Sequence, residues 1–227
     1  DGRKPLYEAN MDVLEDDEDN GLDEYGNRLW SLKDGNTQRR IDADYERTEA
    51  ELRADSSNFD DEGNHLAPNG AKSNLTYRQW VQVRTPAFIN WFGDWLDDPE
   101  GSSKIVDGNG EPRVVYHGTP NGEFDSFEYR YDDSRRFWFS DSRELSDTEG
   151  FARGGFKDEG ISLKGKVYDV FLNVRNPFEV DADGAYWHHV PFFDEGWNKI
   201  EIGNTDEVVS YASEKGFDGT VIKNVHD

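Results

Sequence analysis

The stretch Lys166–Val174, KVYDVFLNV, limits the possible folds more than any other part of the chain. Val167, Asp169, Phe171 and Asn173 alternate with Tyr168, Val170, Leu172 and Val174, and both sets carry apolar side chains. Successive residues of a strand face opposite sides, so this strand needs apolar cover on both, which a sheet packed on another sheet supplies. Asn176-Pro177 then ends it, because proline brings no N–H to a ladder. The material for such a core is aromatic. Hydrophobic residues make up only 34% of the 227 and charged residues 33%, but 7 Trp, 10 Tyr and 14 Phe can each bury a large area. That length suits one domain with an appendage, or two small domains.

Charge excludes several classes of function. The net charge of -24 repels phosphate backbones and anionic membrane surfaces, so nucleic-acid binding is not expected. With no cysteine there are no disulfides, thiolate catalysis or cysteine-type zinc sites. The sequence holds no apolar run long enough to span a bilayer and no signal-type N-terminus. Residues 1–75 carry 20 acidic and 9 basic residues and few Val or Ile. Leu14–Asn20 is a charge run of the solvated kind. Asp12, Asp16, Glu18 and Asp23 lack the fixed spacing and central glycine of a calcium loop. Residues 38–54 place Ile41, Tyr45, Ala50 and Leu52 at helical spacing, and residues 56–74, rich in Ser, Asn, Asp and Gly, read as a linker. The expected division is therefore an acidic, partly helical N-terminal extension, residues 1–75, and a folded domain, residues 76–227.

In the second part, Thr76 caps a short helix carrying Trp80 and Val83, and Thr85-Pro86 opens another carrying Phe88, Trp91, Phe92 and Trp95. Helices packing aromatics on a core explain these residues better than an aromatic binding box. Strands are expected at Arg113–Tyr116, Phe137–Ser140, Lys166–Val174 and from Thr220. Thr205 opens a helix that stops at Lys215-Gly216. Short strands with sparse helices give an α+β class.

One strand ends on chemistry. Val114–Pro120 reads VVYHGTP, so a titratable ring, His117, stands at the strand end beside Gly118 and Thr119. The absent Cβ of Gly118 would let a flat ring lie against the backbone, whose N–H and C=O could clamp a carboxamide. His117 could donate to a ribose hydroxyl, with Thr119 holding the imidazole. Phe124 and Phe127 follow, then FWFSDS, and a helix over Leu145–Ala152 carrying Phe151. A polar clamp facing an aromatic shelf suits a planar heteroaromatic cation such as nicotinamide.

The segments GEPRVVYHGTPNGEFDSF, FWFSDS, VYDVFLNVRNPFEV and GFDGTVIKN, in this order, resemble the ADP-ribosyltransferase domains of phage and mobile-element polyvalent proteins. Those domains lie in the His-Tyr-Glu branch with diphtheria-toxin-like toxins and poly-ADP-ribose polymerases. FINWFGDW looks like their lead-in, and the resemblance covers roughly residues 85–227. It implies a split β-sandwich with NAD in its cleft, transfer of ADP-ribose to an acceptor, expected to be a protein, and release of nicotinamide. It also implies that the chain is part of a larger polypeptide acting inside cells, in bacterial cytoplasm or delivered by phage. Carried over residue by residue, His117 contacts the adenosine ribose as the catalytic-motif histidine, Gly118 grips the nicotinamide amide and Thr119 supports His117. Trp138 or Phe139 takes the first stacking position, Phe151 the second, and Ser140 lies at the cleft floor. The stacking tyrosines of the family are Trp or Phe here, which keeps the stacking and loses a hydroxyl. The family's catalytic glutamate opens a strand after GFDG, and that strand is expected beyond Asp227. Glu149 and Glu159 are the nearest substitutes within the sequence. The alternative is a catalytically inactive interaction module of the same fold.

Other candidates carry less. Trp187-His188-His189 on a strand would point its two imidazoles to opposite faces, so no metal site is expected. Gly150–Gly155 lacks the Gly-Lys-Ser of a phosphate loop and reads as a loop over the cleft. Arg135, Arg136 and Arg153 are candidates for the NAD pyrophosphate, although each is better explained as an exposed charge. Ser140 has no nucleophile-elbow context.

Overall fold

The computed structural model describes residues 35–120, 127, 137–148, 151–152, 165–193 and 199–226. Glu149, Gly150, Arg153, Glu159, Phe124, Arg135 and Arg136 lie outside them.

The helices come first. α1 spans Gly35–Ala54, α2 Tyr77–Gln82 and α3 Pro86–Phe92. α2 begins in a capping box: the Thr76 hydroxyl accepts from the Gln79 N–H, and the Gln79 side-chain Oε1 accepts from the Thr76 N–H. α3 begins at Thr85, whose hydroxyl accepts from the Phe88 N–H, with Pro86 in the first turn. Gly93 stops it with φ 101°, and a Cβ there would stand 2.5 Å from the Ser102 Cα.

Residues 56–74, expected as a linker, fold instead into two tight turns closed by the bridges Phe59–His65 and Leu66–Lys72. They are held because the Trp80 indole N–H donates to the Leu66 carbonyl at 2.8 Å. Below them the Arg84 guanidinium lies over the Trp80 and Trp95 rings and pairs with the fully buried Glu111 at 2.8 Å. The second oxygen of Glu111 accepts from the Ser73 hydroxyl. Burial pushes the Arg84 guanidinium down, and the Glu111 partner opposes that.

Phe88, Trp80 and Phe92 are completely buried, and Phe171 meets Phe88 edge-on at 5.1 Å. This contact joins the helical part to the strands. It also explains why the expected strand Lys166–Val174 pairs only over β2, Lys166–Val170. Beyond Val170 the chain leaves its partner: the Ser103 hydroxyl donates to the Leu172 carbonyl and the Lys104 N–H to the Val174 carbonyl. The Asn173 side chain donates to the Trp91 carbonyl at 2.7 Å.

β1, Val115–Thr119, pairs antiparallel with β2. β3, Pro177–Asp181, runs parallel to β6, Gly219–Lys223, and β4, Val190–Phe193, pairs antiparallel with β5, Lys199–Gly203. Between β5 and β6 lies α5, Thr205–Glu214, capped by Asn204 and Glu207 and followed by Gly216 at φ 83°. Val180, Ala182, Val190, Phe192 and Val208 form the core of this part. The GFDG turn is structural: the Asp218 carboxylate accepts the N–H groups of Arg175 and Asn176, and Gly219 fits beside Val174, where a Cβ would stand 2.6 Å away. Mixed short strands and helices make an α+β chain. Among the described residues no helix is long and apolar enough to cross a membrane.

Candidate functional site

β1 is the spine of the site, and it runs past the expected strand end, so that His117 and Gly118 lie within it. On one edge it is paired with β2, which sets His117 opposite Tyr168 and Gly118 opposite Val167. On the other edge, among the described residues, only Tyr116 pairs. Its N–H donates to the Ser140 carbonyl at 2.8 Å, and its carbonyl accepts the Ser140 N–H at 2.9 Å. Bonding direction alternates along an antiparallel strand. Gly118 therefore turns its N–H and C=O to the same edge as Tyr116, and among the described residues neither meets a partner.

His117 faces the other way from Gly118. Its ring packs on Phe127 at 5.1 Å and Phe139 at 5.5 Å, beside the cluster of Val115, Tyr168 and Val170. The ring is half-buried, and Nδ1 lies 2.8 Å from the Trp138 carbonyl. A carbonyl only accepts, so Nδ1 carries the proton and Nε2 of the neutral ring carries the lone pair. In this tautomer the Nε2 of the neutral ring is an acceptor, whereas the expectation has His117 donating to a ribose hydroxyl. Thr119 follows on the face of His117 and is buried.

Phe137–Ser140 was expected as a strand, yet only Ser140 pairs. Phe137 and Phe139 both contact Phe127, while Trp138, between them, leaves its ring 40% exposed. Of the two candidates for the first stacking position, the structure therefore brings Phe139 to His117, and of Trp138 only the main-chain carbonyl.

The space beside Gly118 also differs from expectation. A Cβ there would stand 2.0 Å from the Ser146 carbonyl oxygen and 2.9 Å from the Phe151 Cβ. The missing side chain makes room for the protein's own backbone and not for a ligand ring. Any clamp at Gly118 works through the strand edge. Phe151 lies against Gly118 on the face opposite His117, so these two predicted residues flank β1 and do not share one wall. Instead of the expected helix Leu145–Ala152, a single turn, α4, spans Arg143–Ser146, with the Ser142 hydroxyl accepting from the Leu145 N–H. Phe151 and Ala152 follow in a turn.

Sequence reasoning missed the partners on this second face. The Ser146 hydroxyl donates to the Tyr116 carbonyl at 3.2 Å. Arg143 pairs with Asp169 and lies 5.7 Å from the centre of the Tyr116 ring. Burial, then the Asp169 charge, pushes the Tyr116 hydroxyl up. Ser142 ahead of RELS was the available signal for α4.

His188 and His189 occupy a turn, not a strand, and their rings meet at 4.8 Å. Among the described residues no three His, Asp or Glu side chains gather as a metal site would need. A groove of about 520 Å³ is lined by Thr48, Leu52, Asp55, Leu66, Arg84 and Leu96 among others. It holds none of the candidate residues, and the Gly118 edge of β1, without a partner among the described residues, is the stronger pointer to chemistry.

A family described as ADP-ribosyltransferase in polyvalent proteins matches residues 107–227. The chain belongs to this family. The match takes in β1, the Trp138–Ser140 segment, α4 and every strand after them, while α1, α2 and α3 precede it. No curated protein and no solved structure matches the chain.

Proposed function

We propose that the chain transfers ADP-ribose from NAD to an acceptor of the protein class and releases nicotinamide. The bond from the nicotinamide nitrogen to the ribose C1′ breaks, a bond from C1′ to the acceptor nucleophile forms, and the nucleophile loses its proton. Membership of the family supports the transfer, and the β1 edge supports the use of NAD. A carboxamide has one acceptor and two donor hydrogens, and Gly118 offers one donor and one acceptor side by side on an edge. At the preceding residue, the lone pair on His117 Nε2 suits a ribose hydroxyl, and Phe139 supplies an aromatic face. On this reading the fold is the split β-sandwich of the His-Tyr-Glu branch, residues 76–227 form the transferase domain, and Ser140 and Thr119 complete the cleft around His117. A carboxylate beside C1′ would stabilise the oxocarbenium-like transition state, and without one the same fold would serve as a module that binds without turnover.

The single observation that carries the proposal is the Gly118 amide beside His117, which meets no partner among the described residues. Incubating the chain with NAD labelled in the nicotinamide ring tests it. Release of labelled nicotinamide, lost in His117→Ala, is expected. NAD binding without release supports the inactive module, and neither binding nor release refutes both uses of the site.

A further inference from the structure

The bridge between Tyr116 and Ser140 defines a register, and in that register His117 lies opposite Phe139 and Gly118 opposite Trp138. The ring contact of His117 with Phe139 at 5.5 Å agrees with it. In a regular antiparallel ladder the next bonded pair after Tyr116–Ser140 is Gly118–Trp138. The Gly118 N–H would then donate to the Trp138 carbonyl. That carbonyl is instead engaged by Nδ1 of His117 at 2.8 Å, and pairing stops at the residue where the proposed clamp stands.

We infer that His117 is a positioning residue that keeps the β1 edge open at Gly118, by drawing the Trp138 carbonyl toward its Nδ1 and out of line with the Gly118 N–H that strand pairing would give it. The inference rests on the transferase reading for its purpose, because an open Gly118 edge matters if a carboxamide binds there. Its physical content stands without NAD. An exposed strand edge tends to pair, and a buried or half-buried amide seeks an acceptor. The nearest acceptor in register is the Trp138 carbonyl, and a side chain from the adjacent residue holds it.

Amide hydrogen exchange of Gly118, measured by NMR on the full chain without NAD, tests this directly. Three proteins are compared: the parent, His117→Leu, which removes the donor while keeping an apolar side chain against Phe127 and Phe139, and His117→Asn, whose amide nitrogen sits where Nδ1 sat. Gly118 is expected to exchange quickly in the parent, about tenfold more slowly in the Leu variant as the freed carbonyl pairs with it, and quickly again in the Asn variant. Exchange at Val115 and Tyr168, on the β2 side, serves as the control for folding and should not change. Equal Gly118 exchange in parent and Leu variant, or protection in the parent, overturns the inference. Calorimetric titration of the same proteins with NAD separates it from the transferase reading. If the exchange pattern holds and the parent does not bind NAD, the edge device stands and the transferase reading fails. If the parent binds NAD and the Leu variant loses binding with no change in exchange, the ring acts by direct contact and the inference fails.

Discussion

Gly118→Ala is a sharp perturbation because the structure says what the new methyl group meets. Its Cβ would lie 2.0 Å from the Ser146 carbonyl oxygen, where ordinary contact begins at 3.4 Å. The obstacle is backbone, so no side-chain rotation relieves it. Either α4 moves away from β1 or β1 bends. The first breaks the bond from the Ser146 hydroxyl to the Tyr116 carbonyl and disturbs Phe151, whose Cβ stands 2.9 Å from the new methyl. Overpacking typically costs about 1–3 kcal/mol, and a backbone clash belongs at the upper end, about 3 kcal/mol. For a chain of this size that corresponds to a fall in Tm of about 6–12 °C. Gly108→Ala is the control, since nothing lies within 4 Å of a Cβ there, and it should stay within about 0.5 kcal/mol of the parent. Circular dichroism melts of both variants give the comparison. A Gly118→Ala protein that melts with the Gly108→Ala protein would refute the close approach of α4 to β1.

Other substitutions test other parts of the account. Glu111→Gln leaves Arg84 charged and buried between two indole rings, and urea denaturation should show a loss of about 3–5 kcal/mol, whereas an unchanged midpoint would contradict the buried pair. A fragment of residues 107–227 keeps the family match but strips Phe171 and Asn173 of Phe88 and Trp91. It should melt without a cooperative transition and bind a hydrophobic dye, while residues 35–227 should not. The Asn224 side chain and the Asp183 N–H hold the Asp181 carboxyl below the usual carboxylate range. Its contribution to stability is therefore present above the unfolded pKa of about 3.9 and lost as pH falls through the lower folded value. Melting curves of the parent and Asp181→Asn should differ at neutral pH and converge in acid, and a constant gap would remove Asp181 as the cause.

What could be read from the sequence was whatever neighbours in sequence decide. Thr76, Thr85 with Pro86, and Gly216 mark helix ends because caps act within one turn, and α2, α3 and α5 lie where those residues place them. The apolar faces of Lys166–Val174 announced burial correctly, but the end of pairing at Val170 depends on the Ser103 hydroxyl, a residue remote in sequence that takes the Leu172 carbonyl. Phe137–Ser140 has the composition of a strand, but among the described residues it pairs only at Ser140, and its Trp138 carbonyl meets a side chain from β1 that no periodicity encodes. The glycine at 118 was legible as special, but the reason was not. It accommodates the Ser146 carbonyl, while the order of the motifs around it, spread over residues 85–227, was enough to indicate the family.

The central claim is that the free edge of β1 at Gly118 receives the nicotinamide end of NAD. Chemical-shift mapping of a chain labelled at glycine amides, titrated with NAD, tests it most directly. Saturable movement of the Gly118 resonance, with Gly70 beside the remote groove unmoved, is the predicted result. Saturable movement at Gly70 with Gly118 unchanged, or no saturable movement at any glycine, would contradict it.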